Sequence, residues 1–433
     1  LLASQASLAY RDYFTVWAQN AEVRDIYRAD LSAVAQFLNE SAGDEVACVS
    51  ASFAADLDQQ VLNFMMGEPR PIRWFDGRQA LVFPAPDPSR DTLYIFPATA
   101  PLDEELAERF FSHLDVAATA LDPYGEPAFV AYRLTPANLE RMRAIEPSYP
   151  LSADLEGRIG LQGYELPPVV EAGGDLPLLL YWRVSQPTRP DLRFAFFGHL
   201  TDSRGYVWDQ VDALGYPVSS WIEGDEVIQV FDLNVPADAP PLEYWIKLGL
   251  YDETTQERVE PAVDGLPLPE GVVTAGPISV RRAAVPPNTD ELNIPRERYA
   301  SFADQLELLG CEVGAHAVER GGSVHISLYW QALVKPDVDY AISILLTDEG
   351  GNEVLEELLR QPVDGLYPTS LWSKGEVVRD RFDLTISESV SEGRYRLWAR
   401  LYDPGSRDFL PLAGSTEDRV RLGKIYVVSG EEG

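Results

Sequence analysis

The stretch YPVSSWIEGDEVIQVFDL, which begins at Tyr216, returns as YPTSLWSKGEVVRDRFDL from Tyr367. The offset of 151 residues holds without a gap through Tyr244/Tyr395 to Asp252/Asp403. Upstream, Leu180-Tyr181-Trp182 matches Leu328-Tyr329-Trp330, and Gly163 and Gly310 mark similar starts. One unit of about 125–130 residues is therefore used twice, and each copy must bury a core of its own. No other feature of the sequence narrows the fold as much.

Both copies read as antiparallel β structure. Pro217 and Pro368 preset φ for a bend, and Gly224 and Gly375 supply the positive φ of a turn. Beyond the turn, Val227, Phe231 and Leu233 share one face by period two, as do Val378, Phe382 and Leu384. Trp221 and Trp372 then cover the end of that core. About seven or eight such strands per copy predict a β-sandwich. An immunoglobulin-like sandwich is expected, with a jelly roll as the alternative. The copies span 155–283 and 296–430, and the Pro-rich AAVPPNTDELNIPRE (283–297) links them.

Residues 1–150 have a different character. An apolar stripe at helical spacing runs over 10–38, from Tyr10 and Trp17 to Val34 and Leu38. VACVSAS, PIRWF, ALVFP, TLYIFP and AFVAYRL read as short strands, with helices over ADLDQQVLNFMMG and LDEELAERFFSHL. Strands alternating with helices predict a Rossmann-like layered α/β domain with a parallel sheet at its centre. The expected fold class is multidomain: one N-terminal α/β domain, then two tandem all-β sandwiches.

Catalytic signatures are missing. There is no G-x-S-x-G elbow, no P-loop, and no G-x-G-x-x-G after a strand in the first domain. The four histidines lack metal-ligand spacing. Two D-x-D strings, Asp56-Leu57-Asp58 and Asp337-Val338-Asp339, read as a helix start and a hairpin. No catalytic residue, metal ligand or cofactor is predicted. Cys48 and Cys311 sit in apolar runs and read as buried thiols. A net charge of −34 repels nucleic acid and anionic surfaces, while neutral carbohydrate stays an allowed partner.

A residue kept in both copies is explained by the fold they share. Aromatics that face away from the core are better binding candidates. Alternation from Tyr244 turns Trp245 away from Ile246 and Leu248, and Trp398 opposes Leu397 and Ala399. Trp208, in GYVWDQ, is the third candidate for carbohydrate contact.

The N-terminal YRDYFTVWAQNAEVRDIYRADLSAVAQFL resembles the segment that follows the last membrane helix in some bacterial membrane glycosyltransferases. These belong to the dolichyl-phosphate-mannose–protein mannosyltransferase and aminoarabinose-transferase-like superfamily. Tyr13, Phe14, Trp17 and Ala18 carry that likeness. Tyr329-Trp330, Tyr367 to Trp372, Gly375-Glu376 and Leu401 to Asp403 carry a second one, to β domains found in some members. The resemblance implies an extracytoplasmic C-terminal region that positions an acceptor protein or binds glycan. Its membrane portion would lie upstream of Leu1, and none of the family's catalytic residues maps onto this sequence. Two other classes fit the composition: a surface adhesion protein with sandwich spacers, and a soluble hydrolase using the α/β domain.

Overall fold

The computed structural model describes the chain except residues 1–4, 6, 7, 9, 18, 19, 21, 22, 24–27, 42, 53–56, 68, 69, 122–124, 126, 187–191 and 430–433, and except the side chains at 13–15, 41, 269 and 356–358. The expected 10–38 helix falls partly outside these residues. Within them, Asp12–Trp17 is π-helical and Ala29–Ser41 is α-helical. The protein is predominantly β, built from several sheets.

The N-terminal sheet is mixed rather than parallel throughout. Ile72–Phe75, Val46–Ser50 and Thr92–Pro97 run parallel, and Pro127–Leu134 and Val116–Leu121 continue antiparallel. Helices Ala29–Ser41 and Leu57–Met65 bury Val34, Leu38 and Leu62 on one face, against Val49, Trp74 and Phe129. Helix Glu104–Phe111 buries Leu106, Phe110 and Phe111 on the other, against Phe75, Tyr94 and Phe96. Asp103 caps that helix through the Leu106 N–H. A further helix, Pro136–Arg143, opens on the Thr135 cap with Pro136 in its first turn.

The run ALVFP is a strand, Ala80–Phe83, but it does not join this sheet. It pairs antiparallel with Glu226–Asn234, placing Val82 opposite Val227 and Leu81 opposite Ile228. The N-terminal region thus adds the edge strand to a sheet of the first sandwich. One core continues from Cys48, Phe75 and Tyr94 through Leu81 and Val82 to Trp182, Phe231 and Tyr244. The strand Tyr149–Leu155 also belongs to that sandwich sheet, so the first copy starts before residue 155.

Each copy packs two sheets face to face. In the first, 149–155, 159–165, 175–184 and 226–234 oppose 207–213, 194–202, 243–252 and 273–281. In the second, 297–302, 306–313, 323–332 and 377–385 oppose 419–428, 393–403, 341–347 and 353–360. The registers repeat: Trp182 lies opposite Val227, and Trp330 opposite Val378. Gly163 and Gly310 do the same job. A Cβ at either would sit 2.5 Å from the Tyr149 carbonyl oxygen or 2.4 Å from that of Arg296, so only glycine lets the neighbouring strand approach.

Candidate functional site

The repeated motif forms the same structure twice. Pro217 and Pro368 hold φ at −65° and lead into one turn of 3-10 helix. The indole N–H of Trp221 donates to the Tyr216 carbonyl (2.8 Å), and that of Trp372 to the Tyr367 carbonyl (3.1 Å). Both indoles are buried, as the plug reading requires. The motif's tyrosine and its acid, nine residues on, then form a hydrogen bond: Tyr216 to Asp225 (2.7 Å) and Tyr367 to Glu376 (2.8 Å).

Each tyrosine–carboxylate pair receives an arginine from the module before it. In the first copy this is Arg73, an ion pair 3.4 Å from Asp225, within the strand Ile72–Phe75. The incoming chain is held too, since Ala85 N–H donates to the other Asp225 oxygen (3.0 Å). In the second copy it is Arg282, just past the last strand of the first sandwich. Arg282 pairs with Glu376 at 2.7 Å and donates to the Tyr367 hydroxyl at 2.7 Å and to Ser373 Oγ at 2.6 Å. Burial pushes Asp225 above the ordinary carboxylate range, and Arg73 opposes that. Burial also raises both tyrosines, so they remain donors.

The two joints differ where the twins differ. Ile228 and Val230 of the first copy are buried and apolar, beside the strand Ala80–Phe83. Their equivalents are Arg379 and Arg381. Arg379 makes a bidentate pair with the buried Asp238 of the first sandwich (2.9 and 2.7 Å), and its backbone N–H donates to the Asp238 carbonyl (2.9 Å). Its guanidinium lies 5.3 Å from the Trp208 ring and 5.2 Å from the Tyr329 ring. Arg381 stacks against Tyr206 and Trp208. Arg204 of the first sandwich donates to the Arg381 carbonyl (3.1 Å) and pairs with Asp364 at 3.2 Å.

A fourth contact ties the N-terminal region to the first sandwich. Arg109 binds Glu165 through two bonds of 2.8 and 2.9 Å, and the Tyr181 hydroxyl donates to the same carboxylate at 2.8 Å. Burial alone would raise Glu165. The bonds from Arg109 and Tyr181 outweigh it and hold the carboxyl below its ordinary value. A depressed carboxylate stabilises the fold above its unfolded pKa of about 4.3, and that stability is lost as pH falls through the folded value. The thermal midpoint of the protein should therefore fall between about pH 5 and pH 3 by more than that of Glu165→Gln. Parallel falls in the two proteins would contradict this role for Glu165.

The three tryptophan candidates do not converge. Trp208 is 6% exposed, bonded to Asp202 (3.1 Å) and packed edge-on against Tyr244. It cannot serve as an open sugar platform, because the arginines of the second sandwich cover it. Trp245 and Trp398 are half-buried on outer sheet faces, with Tyr244, Ile246, Leu397 and Ala399 turned inward as alternation requires. Trp398 donates to Thr347 Oγ1 (3.0 Å) and lies under the Arg419 guanidinium.

Other polar clusters are closed on themselves. Asp58 of the first D-x-D string is fully buried and bonded to Arg28, which also donates to Thr99 (2.8 Å); Asp56 lies outside the described residues. Asp339 of the second string accepts the Ser370 N–H (3.1 Å). Among the described residues no three His, Cys, Asp or Glu side chains group as metal ligands. Cys48 and Cys311 are buried free thiols. No helix among the described residues is long and apolar enough to cross a membrane.

No protein-family model matches the chain, and no curated protein sequence does. Among solved structures it is similar to the C-terminal domain of Wzt: 12% identity over 31% of this chain and 84% of that one, with a TM-score of 0.24. It is also similar to the CARDB domain of a Pyrococcus furiosus protein in complex with di-metal ions. There the identity is 12% over 33% of this chain and 100% of that one, with a TM-score of 0.19.

Proposed function

We propose that this chain is a stiff, non-catalytic extracytoplasmic arm of a membrane glycosyltransferase, holding a glycan or an acceptor protein at a set distance from the membrane part. Its modules are a Rossmann-like layered domain and two immunoglobulin-like sandwiches, by analogy of layers and strand pairing. The observation that carries the reading is the tyrosine–carboxylate pair that takes an upstream arginine at both joints. A duplicated motif that clamps each module onto the one before it suits a spacer whose length and direction matter. The sequence likeness around Tyr13 to Ala18 and Tyr367 to Trp372 supplies the link to the transferase superfamily.

A second reading, the stalk of a surface adhesion protein, is favoured by the same stiffness. The coding sequence upstream of Leu1 separates the two: several hydrophobic spans are expected for the arm, and a signal peptide alone for the stalk. The isolated chain, incubated with a polyprenyl-phosphate sugar and an acceptor peptide, should transfer no sugar. Turnover by the chain alone would overturn the non-catalytic reading.

A further inference from the structure

The outer face of the last sandwich carries a charge opposite to that of the protein. The strand Gly393–Asp403 turns Arg394, Arg396, Trp398 and Arg400 outward, and its neighbour Arg419–Val428 turns Arg419, Arg421, Lys424 and Tyr426 outward. These eight positions hold six cations, two aromatic rings and no acid, in a chain with 69 acidic and 35 basic residues. The register sets like charges face to face: Arg396 opposite Lys424, and Arg400 opposite Arg419. Directly opposed like charges destabilise an antiparallel pair, and an acid at either position would relieve them.

The guanidinium groups are also ordered. Arg394 lies 5.4 Å from the Tyr426 ring, Arg419 4.9 Å from Trp398, and Arg400 3.5 Å from Phe409. An arginine laid on a ring keeps its in-plane N–H donors free to meet a carboxylate or phosphate two at a time. Acids answer part of the charge, with Asp418 on Arg400 and Glu353 on Arg419. Among the described residues Arg394, Arg396, Arg421 and Lys424 have no such partner. The equivalent strands of the first sandwich lack this run of cations: Glu243, Trp245, Lys247 and Gly249 take the matching positions on one, Arg281 is the one cation turned outward on the other, and Lys247 is paired with Glu270. The cationic face is therefore particular to the second copy and is not a requirement of the sandwich.

The geometry points to a binding face for a linear anionic glycan, one that bears a carboxylate or phosphate on its repeating sugars. Its rows of cations are about 4.8 Å apart between strands, and alternate residues are about 6.7 Å apart along them. Such rows suit an extended polymer with regularly spaced charges better than a compact anion. Trp398 and Tyr426, set between the cations, hold Arg419 and Arg394 against their rings. Densely charged nucleic acid, or the broad plane of an anionic bilayer, would meet the field of the remaining acidic surface as well. This inference rests on the glycan-holding reading above and names the chemistry of the glycan.

Calorimetric titration of the full chain tests it, with polygalacturonate and poly(glycerol phosphate) as the carboxylate and phosphate probes. Fully methyl-esterified polygalacturonate is the neutral comparator. Binding of one or both anionic probes is expected, at least about tenfold tighter than the ester in roughly 50 mM salt and weakening as salt rises. The exposed-face variant R394Q/R396Q/R421Q/K424Q should lose about tenfold or more with its melting temperature unchanged, whereas Trp245→Ala should bind as the unmodified chain does. Three results would each overturn the proposal: equal binding of the ester, full binding by the fourfold variant, or tighter binding of polyglutamate, single-stranded DNA or phosphatidylglycerol vesicles. If the upstream coding sequence lacks membrane spans, the transferase arm fails, but the titration still decides the face.

Discussion

Arg379→Ala should release the last sandwich from the first and cost about 3–5 kcal/mol, the range for breaking one side of a buried ion pair. The magnitude follows from what the substitution leaves behind. The Asp238 side chain is 1% exposed and receives both of its short bonds from this one guanidinium. Without Arg379, a buried carboxylate loses its counter-charge, and Trp208 and Tyr329 lose the cation that covers them. Calorimetry should show one transition for the unmodified protein and two for the variant, with the last sandwich melting first. Asp238→Asn in the same chain should restore part of the loss, because the amide carries no charge to strand. An exposed arginine elsewhere, such as Arg407, should change stability by no more than about 0.5 kcal/mol when replaced by Ala. A loss that small at Arg379 would mean that the joint is ornamental.

Trp372→Ala is the second large effect, about 3–5 kcal/mol and confined to the last sandwich. The indole is fully buried, stacks beside Tyr367 at 6.3 Å, and holds the Tyr367 carbonyl with its N–H. Removing it opens a cavity under the latch and leaves that carbonyl without its donor. Tyr367 would then be poorly placed for Glu376 and Arg282, so the joint should weaken along with the core. Hydrogen exchange should rise across 323–332 and 377–385 and stay unchanged across the first sandwich. Intact protection combined with lost glycan binding would instead make Trp372 a ligand contact.

Much of this was legible because it is local. The bend at Pro217 and Pro368, the turn glycines and the two plugs follow from a few adjacent residues, and the duplication exposes them. The short strands of the N-terminal region were legible one by one. Their pairing was not: ALVF reads as a strand in any sheet, and nothing in its four residues says that its partner is Glu226–Asn234. Helix Pro136–Arg143 had a signal, Thr135 before Pro136, that an apolar-period reading passes over.

The joints were hidden for a different reason. Arg73 meets Asp225, and Asp238 meets Arg379, across well over a hundred residues of chain, and a charged residue carries no local mark of its partner. The available signal was divergence between the twins. Ile228 and Val230 become Arg379 and Arg381, which puts two cations where the twin has buried apolar residues. The same logic finds the cationic face, where Glu243 and Trp245 become Arg394 and Arg396. A net charge of −34 averages that face away, so composition alone gives no sign of it.

On this reading, repeated arginine latches hold three modules in one fixed stack. Distances between spin labels test it most directly, with one label at the exposed Glu108 in the N-terminal region and one at the exposed Ser406 in the last sandwich. Cys48 and Cys311 are buried and will not compete for the label. A single narrow distance distribution is expected for the otherwise unmodified chain, and a broad one once Arg282→Ala and Arg379→Ala are combined. A broad distribution before either arginine is touched would contradict it.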